Sequence, residues 1–201
     1  MKNRGTLIAF EGIDGSGKGT QLRLLYDWLD NRDIPVIRLA QPSDSMAGRI
    51  LRELAVRNQR LNPDVELSLF IRDRREQARS TILPFLGRGY TVLLDRHYLS
   101  SVAYQGARGL DPEEILKRNL RVAPEPDLTF LIDVDPSIAL DRIERTRNTD
   151  AFERYDYLTS VRMLYLEWAD RLKNVLRIDG NTGETDIHFI ICSTVRRLLE
   201  C

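Results

Sequence analysis

Five short, nearly uninterrupted apolar runs divide the chain, and longer segments with helical spacing lie between them. Thr6–Phe10 reads as a buried strand, and the segment after it places Leu22, Leu25 and Leu29 on one helical face. Asp33-Ile34-Pro35 breaks that helix, and Val36–Leu39 reads as a second strand. A long helical region follows from about 48 to 86, broken at Asn62-Pro63-Asp64 and closed by Gly87 and Gly89. Tyr90–Asp95 is apolar on both faces, as a central parallel strand should be. Pro124 and Pro126 mark a loop before a fourth strand, Leu128–Asp133. A charged helical stretch from about 137 to 172 is interrupted near Asn148-Thr149-Asp150; Asn174–Ile178 is the last strand and Thr185–Leu199 the last helix.

Strands that alternate with helices require right-handed crossovers. The predicted class is therefore α/β, a five-stranded parallel sheet with helices on both faces. A chain of 201 residues without internal repeat or low-complexity linker is most simply one domain. In such a sheet ligands gather beyond the carboxyl ends of the strands. That rule nominates the segments after Phe10, Leu39, Leu94 and Ile178.

The first of these carries the strongest signal. Gly12-Ile13-Asp14-Gly15-Ser16-Gly17-Lys18-Gly19-Thr20 joins a strand to a helix, with lysine at the junction. Its glycines let successive backbone N–H groups turn inward at one anion, and the helix N-terminus adds positive potential there. Lys18 reaches the outer phosphates as a point charge. The construction is a P-loop, and Gly12 to Thr20 are its expected ATP-binding residues. Gly19 stands where a P-loop usually has a magnesium-binding hydroxyl, which leaves open whether the loop touches the metal.

Composition narrows the field in another way. Thirty basic and thirty acidic side chains cancel, so nothing draws the whole chain to nucleic acid or an anionic membrane. Cys192 and Cys201 lack metal-like spacing and suggest reduced thiols. No apolar stretch approaches 18 residues and no targeting core opens the sequence, so a cytoplasmic location is expected.

Asp95-Arg96 ends the third strand, where P-loop enzymes place the carboxylate that orients magnesium, often through water. The neighbouring guanidinium is free to face a second phosphate; a strand-end ion pair is the competing reading. In Ser100–Gly106, hydroxyl, aromatic and amide groups suit a sugar and a base, although a serine-capped helix start reads equally well. Phe70 and Arg74 share a helix face, suited to stacking and bonding a planar base or simply to core and surface. Asp14 within the loop suits a sugar hydroxyl or the metal. Arginines at 142, 145, 147 and 154 read as a solvated helix face or as a mobile lid over about 142–154.

These motifs together resemble the thymidylate kinase family nearly end to end. The resemblance rests on Phe10–Lys18, Asp95–Ala107, Phe70 with Asp73-Arg74, Pro126–Asp135 and Phe152-Glu153. It implies ATP-dependent phosphorylation of deoxythymidine monophosphate with Mg2+, by a homodimer formed through helix packing. It implies that Lys18 holds donor phosphates, Arg96 the acceptor phosphate, and Asp95 the metal. Phe70 would stack on thymine, Arg74 bond a base carbonyl, Tyr104 pack on the deoxyribose, Gln105 face the base edge, and Ser101 lie among the acceptor's contacts. Arg145 and Arg147 would be the catalytic lid arginines, and Asp179-Gly180 would lie near the donor adenine.

One segment departs from the pattern. Bacterial members usually carry Arg-Glu-Pro-Gly-Gly after the second strand, whereas this chain has Ala40-Gln41-Pro42-Ser43-Asp44. Loss of both charges leaves a related P-loop kinase with another nucleotide or small phosphate or hydroxyl acceptor as the alternative. A GTPase switch is disfavoured because no Asn-Lys-x-Asp sequence is present to read guanine. A silent nucleotide-binding module is disfavoured because Lys18, Asp95 and Arg96 are all in place.

Overall fold

The computed structural model describes residues 4–144 and 151–200. Five parallel strands, β1 (Leu7–Glu11), β2 (Val36–Ala40), β3 (Thr91–Asp95), β4 (Leu128–Asp133) and β5 (Val175–Asp179), form one sheet in the order β2-β3-β1-β4-β5. The helices are α1 (Lys18–Asp30), α2 (Met46–Val56), α3 (Pro63–Gln77), α4 (Leu83–Gly87), α5 (Tyr98–Gly106), α6 (Pro112–Leu120), α7 (Pro136–Glu144), α8 (Ala151–Arg171) and α9 (Glu184–Glu200). A π-helical turn, Ala78–Ile82, joins α3 to α4. Each expected strand is present, shifted by at most one residue.

Period-two alternation sorts the central strands between two cores. Leu7, Ala9, Val92 and Leu94 pack with Ala78, Ile82 and Leu86. Ile8, Phe10 and Leu93 belong to the larger cluster, with Leu22, Leu25 and Leu29 of α1 and side chains from α5, α8 and α9. Phe10 pairs with Asp95 and Ala40 also pairs with Asp95, which brings the carboxyl ends of β1, β2 and β3 level. Among the described residues no helix is long and apolar enough to cross a membrane.

The expected break at Asn62-Pro63-Asp64 is present, with Asn62 capping a new helix at Pro63, but the region 48–86 divides further than expected, into α2, α3, a π turn and α4. The helix after β3 starts at Tyr98, and no serine caps it. Helix α6 had no counterpart in the sequence reading, although Asp111 accepts from Glu113 N and Pro112 occupies the first turn.

Candidate functional site: a phosphate loop beside an arginine cradle

Between β1 and α1 the chain makes the tight turn that the glycines permit. At Gly12 φ is +145°, and a side chain there would put Cβ 2.6 Å from the carbonyl oxygen of Ile132. Gly17 sits at the N-cap of α1 in the left-handed region, and no side chain caps the helix. The first N–H groups of α1 therefore face the loop as an anion site. Ile13 is buried, Asp14 exposed, and Ser16 buried with its hydroxyl unpartnered among the described residues. Lys18, Gly19 and Thr20 form the first turn of α1.

The Lys18 ammonium lies 3.8 Å from Asp14 Oδ1. Burial lowers its pKa from the ordinary lysine value and Arg96 adds to the shift, while Asp14, Asp95 and Glu11 oppose it. Asp95 ends β3 with Oδ1 buried and unpartnered among the described residues. Its Oδ2 lies 3.6 Å from the place where a Cβ on Gly19 would stand.

Arg96 follows in the left-handed conformation, φ 70°, which a side-chain-bearing residue adopts at a cost of about 1–3 kcal/mol. Nη1 donates to Gly12 O (3.2 Å), Ser100 Oγ (2.9 Å) and Tyr165 OH (3.2 Å). Nη2 donates to Asp14 Oδ1 (2.5 Å) and Tyr104 OH (3.3 Å). Burial works against this charge, yet Tyr104, Asp14, Tyr165 and Glu11 together hold the pKa above the ordinary arginine value. Thus Arg96 is a fixed cation at the edge of the phosphate loop.

The residues expected around the acceptor come from two helices. Tyr104 of α5 accepts from Asp14 N through its hydroxyl (3.2 Å), beside the Arg96 guanidinium. Gln105 is buried with Oε1 unpartnered among the described residues, and Ser101 Oγ accepts from Arg74 Nη1 (3.2 Å). Phe70 of α3 is half-buried. Arg74 is fully buried: Nε donates to Gln41 Oε1 (2.9 Å), Nη2 to His97 O (3.0 Å), and Nη1 also to Asn119 Oδ1. These bonds use four of its five N–H groups. Burial pushes its pKa down to about 10.

The departing segment 40–44 is bonded to α2 and α3. Gln41 takes Arg74 as donor and itself donates to Gln77 Oε1 (3.0 Å), and Gln77 Nε2 donates to Ala40 O (3.0 Å). Ser43 and Ser45 both donate to Asp73 Oδ1, the latter at 2.6 Å. Arg52 bonds Pro42 O (2.8 Å) and Asp44 Oδ1 (2.7 Å). Amides, hydroxyls, the Asp73 carboxylate and the Arg52–Asp44 ion pair thus tie this segment to α2 and α3.

On the other side of the loop, Arg142 donates to Gly15 O and to Gly180 O, both at 3.2 Å, tying the P-loop to the turn after β5. Arg145 and Arg147 lie outside the described residues, and with them the centre of the expected lid at 142–154. Among the participants that sequence reasoning missed are Asn119, because α6 was not foreseen, Tyr165 of α8, and Glu11, a wholly buried carboxylate. The signal for Glu11 was an acid directly ending a fully apolar strand.

A P-loop facing a second anion cradle across the carboxyl edge of a parallel sheet defines a nucleoside monophosphate kinase, a phosphotransferase. Comparison with known proteins gives the family. A family model described as thymidylate kinase matches residues 10–191. The chain is 45% identical over 164 residues to a probable thymidylate kinase of Archaeoglobus fulgidus, covering 82% of each chain. It is 41% identical over 190 residues to the thymidylate kinase of Akkermansia muciniphila, covering 92% of this chain and 89% of that one. With a probable thymidylate kinase of Pyrococcus abyssi it shares 35% identity over 202 residues, 98% of both. The chain belongs to the thymidylate kinase family, whose members phosphorylate deoxythymidine monophosphate with ATP.

Proposed function

We propose that this site transfers the terminal phosphoryl group of ATP, held by Gly12–Thr20, to deoxythymidine monophosphate held by Arg96, Phe70, Arg74, Ser101, Tyr104 and Gln105. The observation that carries this reading is the placement of Arg96, bonded to Gly12 O at 3.2 Å and Asp14 at 2.5 Å, so that a second anion sits against the loop. The acceptor is already an anionic phosphate oxygen, with a second pKa of about 6, so no general base is required. The protein aligns two repelling anions and neutralises the charge between them. Lys18 serves the donor side and Arg96 the acceptor side, and Arg145 and Arg147 are the proposed lid arginines. Asp14 faces the acceptor sugar or the metal.

The oxygen donors suit magnesium. Asp95 Oδ1 and Ser16 Oγ are buried and unpartnered among the described residues, beside the loop. Magnesium keeps several waters and takes phosphate oxygens together with one or two carboxylates. Asp95 would hold it, directly or through water, and the ion supplies charge neutralisation between the phosphates. A homodimer and a cytoplasmic setting complete the proposal. The first is supported by exposed apolar side chains on α2 and α3, the second by the nature of the two substrates.

A coupled assay of ADP release with each nucleoside monophosphate in turn tests the assignment. Turnover is expected on deoxythymidine monophosphate. Arg74→Met and Tyr104→Phe should raise its KM by about tenfold, the effect of losing a hydrogen bond to a charged or buried group. Unchanged KM in both variants would remove the base and sugar assignments.

A further inference from the structure

Glu11 ends β1 after four wholly buried apolar residues and is itself fully buried. Burying a carboxylate costs several kcal/mol unless charged or polar partners compensate. Its partners all belong to the acceptor side. Oε1 accepts from His97 N (2.8 Å) and Ser100 N (3.1 Å), the N-cap residue and the third residue of α5, a helix with no side-chain cap of its own. Oε2 accepts from Ser100 Oγ (2.5 Å) and Tyr165 OH (3.1 Å).

We propose that Glu11 is a positioning residue for the acceptor phosphate, acting through Arg96. The inference rests on the reading that Arg96 binds that phosphate. Two arguments carry it. The first is conformational: Arg96 is held at φ 70° directly before His97, and the bonds from His97 N and Ser100 N to one carboxylate oxygen pin the turn from its C-terminal side. Helix α5 is capped by a side chain from another strand, so the strained turn and the helix are fixed together.

The second argument concerns hydrogen-bond polarity. Burial raises the Glu11 pKa above the ordinary carboxylate value, while the Ser100 hydroxyl, Arg96 and the N–H groups of His97 and Ser100 oppose that shift. In the ionised form they favour, the group only accepts. The Ser100 hydroxyl therefore spends its single hydrogen on Glu11 and offers lone pairs to Arg96 Nη1 at 2.9 Å. The Tyr165 hydrogen goes to Glu11 or to Ser100 Oγ at 2.8 Å, and its lone pairs likewise face Arg96, at 3.2 Å. Glu11 thereby sets two hydroxyls as acceptors for the guanidinium that grips the phosphate. An amide at this position could donate to both, turn them round and aim hydroxyl hydrogens at a cation. The negative charge of Glu11 also favours the charged forms of Lys18, Arg74 and Arg96.

The test compares Glu11→Gln, Tyr165→Phe and Arg96→Lys with the parent chain, measuring KM for deoxythymidine monophosphate, KM for ATP, kcat and the melting temperature. Glu11→Gln is expected to raise the acceptor KM about tenfold or more, as for loss of a charge-assisted bond, with the ATP KM within about threefold. Tyr165→Phe should raise the acceptor KM about threefold, with little change in melting. Equal shifts in both KM values, or an unchanged acceptor KM in a folded Glu11→Gln, would overturn the proposal. Should Glu11→Gln not fold, an unchanged acceptor KM in Tyr165→Phe overturns it. Arg96→Lys separates the layers: no acceptor effect there removes the Arg96 assignment and the proposal with it. An effect in Arg96→Lys alone removes only the role of Glu11.

Discussion

At the end of β3 a guanidinium and an imidazole stand side by side, and burial acts on them with different results. Arg96 keeps its charge because Asp14 and Glu11 lie near it. His97 loses its charge: burial, with Arg74 adding to it, pushes its pKa down to about 3. Its Nε2 lies 3.0 Å from Pro124 O, which fixes the neutral Nε2–H form and leaves Nδ1 unpartnered among the described residues. The folded value lies below the unfolded one, so the neutral ring stabilises the fold, and that stability is lost as pH falls. Between about pH 6.5 and the folded value near 3, unfolding free energy should drop by up to about 1.4 kcal/mol per pH unit from this residue. Denaturant melts of the parent and of His97→Gln at pH 7.5, 6 and 5 measure it as the difference in slope; parallel slopes would contradict it. Of the residues at this edge, Asp14, Lys18, Asp95 and Arg96 were legible because spacing ties them to a strand end or a glycine turn. Glu11 was legible only as an acid ending an apolar strand, since its neighbours do not show that His97 N and Ser100 N close over it from 86 and 89 residues away.

Elements were legible in proportion to how strongly burial patterned them. The strands are apolar on one or both faces and came out within one residue. Helix α6 has nine residues, four of them charged, and buries only Ile115 and Asn119, so its apolar stripe is too narrow to announce it. Its start signal, Asp111-Pro112-Glu113-Glu114, was nonetheless present. The attachment of α8 to the sheet lies beyond pattern reading altogether. Arg162 of α8 reaches Asp133 Oδ1 at 2.7 Å, and Arg177 of β5 reaches Asp133 Oδ2 at 2.6 Å. Burial alone would raise the Asp133 pKa, but the two guanidiniums outweigh it and hold it below the ordinary aspartate value. One carboxylate at the end of β4 thus joins the last strand to the helix that follows the segment expected to form the lid. Asp133→Asn keeps the shape and removes the charge. Because both guanidiniums are partly exposed, the expected loss is about 1–3 kcal/mol rather than that of a fully buried pair. The readout is a lower denaturant midpoint at unchanged m. A midpoint equal to the parent's would show that water replaces the carboxylate without cost.

For the molecule as a whole, helices α2 and α3 expose four apolar side chains. Met46 and Ile50, one turn apart on α2, are 61% and 40% exposed; Val56 at the end of that helix is 84% and Val65 in the first turn of α3 is 52%. Single exposed apolar residues need no explanation, but four on two neighbouring helices make a patch of the kind that subunits cover. Helix α3 carries Phe70 and Arg74, the proposed base contacts, so covering its outer side would stiffen the proposed acceptor wall. A two-fold dimer through α2 and α3 is the arrangement such a self-matching patch favours. Sedimentation at micromolar concentration should give twice the chain mass of 23.2 kDa. Ile50→Glu combined with Val65→Glu should return the mass to one chain, because each buried contact would then carry a charge needing a partner. The same variant should raise the KM for deoxythymidine monophosphate more than that for ATP, since the phosphate loop hangs from β1 and α1, away from the patch. A parent chain sedimenting as a monomer, or a charged double variant still at double mass, would place the subunit contact elsewhere or remove it.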